Sequence, residues 1–317
     1  MLPAVVLAAG LGTRLDPLTR IVAKPAVPVG SRTLVEHVLD WLRQQGVTDL
    51  VVNLHHRPET ITGALGDGAH LGLRVRYSWE NPILGSAGGP KRALRLLSAE
   101  PGEPFLIVNG DTICPVDLAP MIAAHRRTAA AVTMAVVPNP SLRRYNGMVL
   151  DDADRVLGFV PKDPSGATET AAPTWHFVGI QVANPDVFDR LDDGVPAETT
   201  SALYVQMLKE RVGSLQAWRV DDRFVDVGTP RDYLEAVNAS LAASDGAPAL
   251  PGARVTRSVV WPGARLASDV ELDECVVAGP VTLPAGFRAR QSVLVPAALV
   301  RPDETIPTVG DVAVFPL

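Results

Sequence analysis

Short apolar runs alternate with helix-like patterns over residues 1–243, and this alternation constrains the fold more than any other feature of the sequence. The continuous apolar runs Val5–Leu7, Leu50–Leu54 and Phe105–Val108 predict buried strands. Between the first two runs, the apolar spacing over 34–42 predicts a helix that ends near Gly46. Strands that alternate with helices in this way are typical of an α/β domain with a mostly parallel sheet.

The second half of this region departs from strict alternation. The runs 132–137, 148–150, 156–160 and 177–182 predict strands that only loops separate. We therefore expect a mixed sheet with an inserted β-rich region. Further helices are expected over 203–208 and 233–241, and another from Pro90, since proline suits the first position of a helix.

A 17-residue repeat occupies the C-terminal end of the chain. The triplets that begin at Ser258, Cys275 and Ser292 are valine-rich and equally spaced, and Leu266, Leu283 and Val300 follow eight residues after each start. Such a period predicts a β-solenoid whose coils stack their apolar positions. The Ala-, Ser-, Gly- and Pro-rich stretch before it reads as a linker. We thus expect an α/β domain at 1–243, a linker at 244–251 and a short β-helix-like domain at 252–317.

Composition limits the partners and the compartment. The 317 residues carry 29 Lys and Arg against 35 Asp and Glu, a formal charge of −6. This excess of acid argues against a nucleic acid partner, which a basic stripe would attract. Apolar runs remain shorter than a membrane span requires, so no membrane association is expected. With only two cysteines, Cys114 and Cys275, and no basic leader, the chain is expected to be cytoplasmic.

A glycine loop follows the first strand, in the order Gly10-Leu11-Gly12-Thr13-Arg14. Glycines allow the backbone to approach a ligand closely, and successive amide groups can surround an anion. The dinucleotide fingerprint would require glycine where Leu15 stands, and a Walker loop would require a Gly-Lys-Ser/Thr ending. Phosphate binding of another kind is therefore the hypothesis that the loop favours.

The continuation of this loop resembles the signature of the sugar-1-phosphate nucleotidylyltransferases. The resemblance covers about 240 residues and rests on four motifs: residues 7–30 (LAAGLGTRLDPLTRIVAKPAVPVG), Glu80 with 84–89 (LGSAGG), 108–111 (VNGD) and 224–234 (FVDVGTPRDYL). It implies a Rossmann-like nucleotidyltransferase sheet, and the C-terminal repeat resembles the left-handed β-helix of relatives that make GDP-mannose or ADP-glucose. The implied reaction joins a sugar 1-phosphate to the α-phosphorus of a nucleoside triphosphate and expels pyrophosphate.

The resemblance also implies roles for individual residues. The catalytic cations would be Arg14, Lys24 and Lys162. The nucleotide would be bound by Leu7, Ala8, Ala9, Gly10, Gly12, Thr13, Glu80, Gly85, Gly88 and Asp111. The sugar phosphate would be bound by Asn109, Gly147, Lys162, Trp175 and Gly179. Mg²⁺ would be held by Asp111 and Asp226.

The chemistry of these residue types suits the reaction. The attacking phosphate is already ionised near neutral pH, so positioning and charge neutralisation do most of the work. Arginine offers a fixed fork of donors to phosphate oxygens, whereas lysine offers a compact charge. Magnesium prefers hard oxygen ligands and takes few protein carboxylates, because phosphates and water complete its shell. Trp175 could equally serve as core packing.

The base and the sugar are left open by the sequence. Glu80 stands where thymidylyl and uridylyl members of one branch have glutamine, and the pattern is more similar to mannose-1-phosphate guanylyltransferases. Pro161 stands where the family has a glutamate that binds sugar hydroxyls, which leaves a modified or pseudo-sugar open. GTP with mannose 1-phosphate is the leading pair, and UTP with an amino or muramic sugar phosphate is the alternative. A non-catalytic sensor of NDP-sugar is the other hypothesis. The chain is expected to form a homo-oligomer, and a dimer is the expected state.

Overall fold

The computed structural model describes residues 1–98, 100, 102–167, 173–221, 224–243 and 252–317, apart from the side chains of 240–243. Its contacts group these residues into two compact units. The sheet unit comprises Met1–Gly10 and Val35–Val225, and the repeat unit comprises Leu11–Leu34 and Asp226–Leu317. The glycine-loop segment thus groups with the C-terminal repeats, which a division of the chain into consecutive domains does not express. The domain boundaries stay a prediction, and the linker 244–251 lies outside the described residues.

A mixed β-sheet forms the centre of the sheet unit. Its described strands are β1 Ala4–Leu7, β2 Asp49–Leu54, β3 Arg74–Trp79, β4 Phe105–Asn109, β5 Val132–Pro138, β6 Gly147–Leu150, β7 Val156–Val160, β8 Trp175–Ala183 and β9 Leu215–Arg219. The order is β7-β6-β8-β4-β1-β2-β3, and β5 pairs with β8 and β9. Strands β4, β1, β2 and β3 are parallel, whereas β8 is antiparallel to β4 and β5. This mixed α/β sheet confirms the predicted fold class.

Four of the described helices overlap the predicted ones, and the helices over Pro58–Leu65 and Leu118–Arg127 were not predicted. In chain order, the described helices are α1 Leu34–Gln44, α2 Pro58–Leu65, α3 Gly85–Ala93, α4 Leu118–Arg127, α5 Tyr204–Glu210 and α6 Pro230–Ala243. The prediction that a helix starts at Pro90 was wrong, because α3 begins five residues earlier and encloses that proline. Its first turn is stabilised from outside: the Ala197 carbonyl accepts from the amides of Ala87 and Gly88 at 2.9 and 3.2 Å. Such a tertiary contact has no signature in local sequence.

Apolar side chains of the sheet build a buried core. Val5, Ile107 and Met134 belong to one buried cluster with Phe105 and Phe188, whose ring centroids are 5.7 Å apart. Such burial of apolar area supplies the main stabilising free energy. No helix among the described residues has both the length and the apolar character that crossing a membrane would require.

The repeat unit contains stacked short strands in the predicted register. They are β10 Ala253–Thr256, β11 Val259–Val260, β12 Arg265–Leu266, β13 Val270–Asp273, β14 Val276–Val277, β15 Thr282–Leu283, β16 Arg288–Arg290, β17 Ser292–Pro296, β18 Thr308–Val309 and β19 Val312–Pro316. Val259 pairs with Val276, which pairs with Val293, each step being 17 residues. The coils stack as parallel strands, which is consistent with a small β-helix-like domain; its left-handedness stays a prediction.

The corners of these coils repeat with the same period. Gly252, Asp269 and Gly286 all have positive φ, at 78°, 58° and 71°. The second corner of each coil, at residues 257, 274 and 291, is also left-handed. Residues with side chains rarely adopt this conformation, so each left-handed residue marks a defined corner. Corners that recur every 17 residues help to set the register of the stacked coils.

The third coil is not completed as the repeat predicted. Val300 was expected in register with Leu266 and Leu283, but it follows a 3₁₀ turn over Ala297–Leu299 and lies outside any strand. The chain then returns as β19, which pairs antiparallel with β17. This hairpin covers an edge that a further coil would otherwise occupy, since exposed strand edges invite unwanted pairing.

Candidate active site

Near the carboxyl ends of the parallel strands of the sheet unit, two asparagines lie on either side of Leu7. Leu7 at the end of β1 is in register with Asn53 of β2 and with Asn109 of β4. In open α/β sheets, ligands bind in the crevice outside these strand ends. The glycine loop leaves β1 at this edge, and Asp111 follows β4 at the same edge.

Asn53 fixes the backbone at the start of the loop. Its Oδ1 accepts from the amide of Ala8 at 2.6 Å and from that of Ala9 at 3.2 Å. Its Nδ2 donates to Glu80 Oε1 at 2.7 Å, and Glu80 Oε2 accepts from the amide of Leu84 at 2.7 Å. Asn53 and Glu80 are only 3% and 4% exposed. The sequence interpretation missed Asn53, although a polar residue near the end of an apolar strand was a visible signal.

This network changes what the predicted nucleotide-binding residues can offer. The amides of Ala8 and Ala9 donate to Asn53, so these two groups are already used within the protein, while Gly10 is exposed with open space where a Cβ would stand. Both oxygens of Glu80 accept hydrogen bonds within the protein. Glu80 therefore holds Asn53 and the residue before α3.

Gly85 and Gly88 allow α3 to approach a neighbouring segment closely. A Cβ at Gly85, where φ is +75°, would lie 2.7 Å from the Ala197 carbonyl, and one at Gly88 would lie 2.8 Å from the Val195 carbonyl. A Cβ at Gly89 would lie 2.6 Å from Glu80 Oε1. Larger residues would displace the segment or the Asn53–Glu80 pair, so these glycines shape the site by packing.

Asn109 and Gly179 are neighbours, as β4 and β8 pair. Gly179 has φ +81°, and a Cβ there would overlap the side chain of Asn109. Two residues further along the chain, Asp111 is half-buried and accepts a 3.4 Å hydrogen bond from Thr112 Oγ1. The structure thus brings two predicted sugar-phosphate residues into contact beside a predicted metal ligand.

The remaining predicted sugar-side residues have mixed surroundings. The backbone amide of Lys162, which is exposed, donates to Asn146 Oδ1 at 2.9 Å. A Cβ at Gly147 would lie 2.9 Å from Leu142 and Thr174, so this glycine serves close packing. Trp175 packs against the core cluster with the Arg219 guanidinium 4.5 Å from its ring centroid. These contacts favour the packing alternative for Trp175.

An aromatic group that the sequence interpretation did not assign lies beside these residues. The rings of Tyr145, His176 and Phe224 are mutually close, with centroid distances of 4.5, 5.4 and 5.0 Å. His176 Nδ1 also lies 3.3 Å from the Asn146 carbonyl. The group fixes the turn that precedes Gly147 through ring contacts that sequence spacing could not reveal.

Within the repeat unit, the glycine-loop segment folds as three short 3₁₀ turns, Thr13–Leu15, Leu18–Arg20 and Lys24–Ala26. Gly12 has φ +62°, and a Cβ there would lie 2.9 Å from Thr19 and 3.0 Å from Lys24. The loop therefore needs glycine at this point to close on itself. Thr13 and Arg14 are exposed.

Cations and carboxylates converge around Gly228. Lys24, only 8% exposed, places Nζ 3.6 Å from Asp226 Oδ1. A Cβ at Gly228 would lie 3.0 Å from Arg14 Nη1 and 3.1 Å from the Oδ2 atoms of Asp226 and Asp232. The structure thus brings together Arg14, Lys24 and Asp226 as predicted, and adds Asp232, which lay in a quoted motif without a role.

The donor chemistry of the two predicted metal ligands fits Mg²⁺. Asp111 and Asp226 supply carboxylate oxygens, the hard ligands that magnesium prefers. Among the residues that the structure describes, no group of three or more His, Cys, Asp or Glu side chains could hold a metal ion. A magnesium ion that relies on one or two carboxylates would take its remaining ligands from phosphates and water.

Comparison with known proteins identifies the family of this chain. Residues 3–243 match the family model described as nucleotidyl transferase. A UTP–glucose-1-phosphate uridylyltransferase of Synechocystis is 30% identical over 92% of this chain and 76% of its own length. A mannose-1-phosphate guanylyltransferase of Mycobacterium tuberculosis is 27% identical, over 89% and 81%.

A solved structure shares the fold. HddC from Yersinia pseudotuberculosis superimposes with a TM-score of 0.63 at 23% identity, over 76% of this chain and all of that one. The strand order, the phosphate-type loop and the family match lead to one conclusion. The chain belongs to the nucleotidyl transferase family, among the sugar-1-phosphate nucleotidyltransferases.

Proposed function

We propose that this protein transfers a nucleoside monophosphate from a nucleoside triphosphate to a sugar 1-phosphate, with GTP and mannose 1-phosphate as the preferred pair. The observation that carries the proposal is the convergence of Arg14, Lys24 and Asp226 about Gly228. Two cations beside a carboxylate suit a bound polyphosphate with its metal, since phosphoryl chemistry depends on charge neutralisation and positioning.

The reaction forms one bond and breaks one. A phosphate oxygen of the sugar 1-phosphate attacks the α-phosphorus, and the bond from that phosphorus to the bridging oxygen of pyrophosphate breaks. The attacking oxygen is already ionised, so no side chain needs to remove a proton. The electron pair of the broken bond leaves on pyrophosphate.

The cations would neutralise the charge that develops on the phosphates. Arg14 would present its fork of donors to the β- and γ-phosphates, and Lys24 would lie near the reacting phosphates. Asp111 and Asp226 would hold Mg²⁺, which supplies Lewis-acid stabilisation of the phosphate oxygens when bound. Asp226 beside Lys24 also keeps the ammonium group oriented, because a charge with low exposure needs a partner.

Further residues would supply binding and orientation. Ala8, Ala9 and Gly10 offer backbone groups to base and ribose, and Asn109, which fits against Gly179, would bind the sugar phosphate together with Lys162. Gly147 and Trp175 would shape that side through packing. Glu80 would act through Asn53 on the backbone of Ala8 and Ala9.

The choice of base rests on two supports. The sequence pattern around Glu80 resembles guanylyltransferases, and several relatives across the family, including the Mycobacterium tuberculosis protein, are named mannose-1-phosphate guanylyltransferases. UTP with glucose 1-phosphate is the second candidate, because the Synechocystis relative that matches most of this chain carries that name.

A pyrophosphate-release assay with Mg²⁺ tests the proposal and ranks the substrates. The five common nucleoside triphosphates are each combined with mannose, glucose and N-acetylglucosamine 1-phosphates. GTP with mannose 1-phosphate should give the highest kcat/KM. Higher kcat/KM with UTP and glucose 1-phosphate would reverse the choice of substrate, and no release with any pair, together with tight binding of an NDP-sugar, would indicate a sensor.

A further inference from the structure

The glycine-loop segment is held to the end of the repeat domain by one buried arginine. Arg20, in the second 3₁₀ turn of the loop, is 8% exposed. It lies between Arg14 and Lys24 in sequence, and its side chain contacts residues near the C-terminus, more than 275 positions away. All of these residues belong to the repeat unit.

Every donor of the Arg20 guanidinium is used. Nε donates to Asp16 Oδ1 at 2.8 Å and Nη2 donates to Asp16 Oδ2. Nη1 and Nη2 donate to the two carboxylate oxygens of Glu304, both at 2.6 Å. The second Nη1 hydrogen reaches the Leu299 carbonyl at 2.8 Å, and the ring of Phe315 lies 5.1 Å from Cζ. Bidentate pairs of this kind fix orientation as well as contributing energy.

The charges of this cluster balance. Arg301 lies 3.3 Å from Asp16 and 3.8 Å from Glu304, and its backbone amide donates to Glu304 at 2.9 Å. Two arginines thus face two carboxylates. A low-exposure guanidinium with satisfied hydrogen bonds and balanced charge specifies one geometry, whereas loss of one partner leaves a charge poorly solvated.

The cluster lies where it can control the phosphate-binding cations. Asp16 is two residues after Arg14, and Arg20 is four residues before Lys24. The contacts of Asp16 and Arg20 with Glu304 and Arg301, called the clamp below, therefore hold the segment that joins Arg14 to Lys24. Cations that neutralise developing charge are effective only when they are held in place in advance. Short 3₁₀ turns supply little rigidity of their own, because their hydrogen-bond geometry is poor.

We propose that Arg20 and Glu304 are positioning residues, through which the C-terminal repeat domain holds Arg14 and Lys24 ready to bind the triphosphate. The repeat domain then takes part in substrate binding, beyond any role in assembly. This proposal rests on the proposed function for the identity of the ligand. It also implies that Arg20 and Glu304 order residues 11–34, which can be measured without any turnover.

The test compares Glu304→Gln with Glu271→Gln in the full-length chain. Both substitutions neutralise a glutamate of the repeat domain that pairs with arginine, but Glu271 pairs with Arg288 on an exposed face. Glu304→Gln should raise KM for GTP about tenfold, the scale of a lost charge-assisted hydrogen bond. KM for mannose 1-phosphate should stay within twofold. Glu271→Gln should match the wild type in both.

Hydrogen exchange supplies the second readout. Amides over 11–34 should exchange faster in Glu304→Gln and in Arg20→Lys, which keeps the charge but loses the fork. Glu304→Asp should partly restore both exchange and KM. If Glu304→Gln does not fold, Arg20→Lys and Glu304→Asp carry the same comparison against the wild type.

The outcomes separate the two proposals. A fall in thermal stability with wild-type exchange over 11–34 and wild-type KM for GTP would overturn the positioning role. A wild-type protein that is inactive with every substrate pair would overturn the proposed function, while exchange over 11–34 would still decide whether the clamp orders the loop.

Discussion

Among single residues, a few charged and polar side chains in closely packed surroundings shape the candidate site. Lys24 beside Asp226 is the pair whose chemistry points to phosphate, because an ammonium with low exposure is costly unless it serves a partner or a ligand. Asn53 is its counterpart in the sheet unit, where one side-chain amide sets the backbone of two loop residues and engages a buried carboxylate.

Replacement of Lys24 by methionine should lower kcat/KM by about 10²–10³, as loss of one preorganised charge does at comparable sites. The methionine keeps much of the volume, so the fold should persist. Lys91→Met is the matched control, since Lys91 also pairs with an aspartate, Asp189, at 3.2 Å. Steady-state kinetics should show wild-type values for Lys91→Met, and equal activity of both variants would refute the role of Lys24.

Asn53→Ala should lower the free energy of unfolding by about 3 kcal/mol, because it leaves the amides of Ala8 and Ala9 and a buried carboxylate oxygen without a partner. Urea unfolding monitored by circular dichroism measures this difference. Asn238 is half-buried in α6 and donates one hydrogen bond to the Arg257 carbonyl. Asn238→Ala should therefore change the free energy of unfolding by less than about 1 kcal/mol. Equal losses in the two variants would remove the special role of Asn53.

At the scale of elements, local pattern predicted most strands and helices, and failures occurred where distant contacts decided the outcome. The helix α1 and the strands at Val5, Leu50 and Phe105 follow directly from apolar periodicity. The start of α3 depends on the Ala197 carbonyl, which periodicity does not encode. The glycine motif predicted a phosphate loop, but it did not predict the contacts that hold this loop. Ala9 bonds to Asn53, 44 positions away, and Arg20 bonds to Glu304, 284 positions away.

The corners of the repeat offer a prediction about backbone conformation alone. Gly286 has φ +71° and no atom within 4 Å of a Cβ built on it. Gly286→Ala should therefore destabilise the protein by about 1 kcal/mol through backbone strain. Gly158 also has open space but lies in strand β7 without positive φ, so Gly158→Ala should be neutral or slightly stabilising. Thermal unfolding of both variants tests this, and a neutral Gly286→Ala would contradict it.

The Arg20 cluster gives the repeat unit an acid-dependent stability. The Arg20 guanidinium, which donates to both carboxylate oxygens, holds the pKa of Glu304 at about 2, below the ordinary value of 4.5. A carboxyl with a depressed folded-state pKa stabilises the protein above its unfolded pKa, and that contribution is lost as pH falls through the folded value. The thermal midpoint of the wild type should therefore exceed that of Glu304→Gln above pH 4.5.

The difference between these two midpoints should shrink as the pH is lowered from 4.5 towards 2. Melting curves recorded across that range check the prediction. A difference that is constant with pH would mean that the charge of Glu304 does not contribute to stability. A scan of Glu271→Gln, in which the neutralised side chain pairs on an exposed face, serves as the control.

For the whole molecule, the composition and the repeats predicted the parts of the chain, but they did not predict which parts group together. The net charge of −6 argued against extended polyanions as partners, but not against a small triphosphate, for which a few fixed cations suffice. The family was visible in sequence because its motifs are long. Residues 11–34 group with the C-terminal repeats, and the hydrogen bond from Arg20 to Glu304 joins these two parts of the chain, which no consecutive motif expresses.

The fate of an isotopic label shows whether the protein transfers a nucleotidyl group at the α-phosphorus. The protein is incubated with mannose 1-phosphate, Mg²⁺ and GTP labelled with ³²P at either the α or the γ position. Nucleotidylyl transfer should place the α label in the NDP-sugar and the γ label in pyrophosphate. Label from the γ position in the sugar product, or γ label released as inorganic phosphate without NDP-sugar, would contradict it.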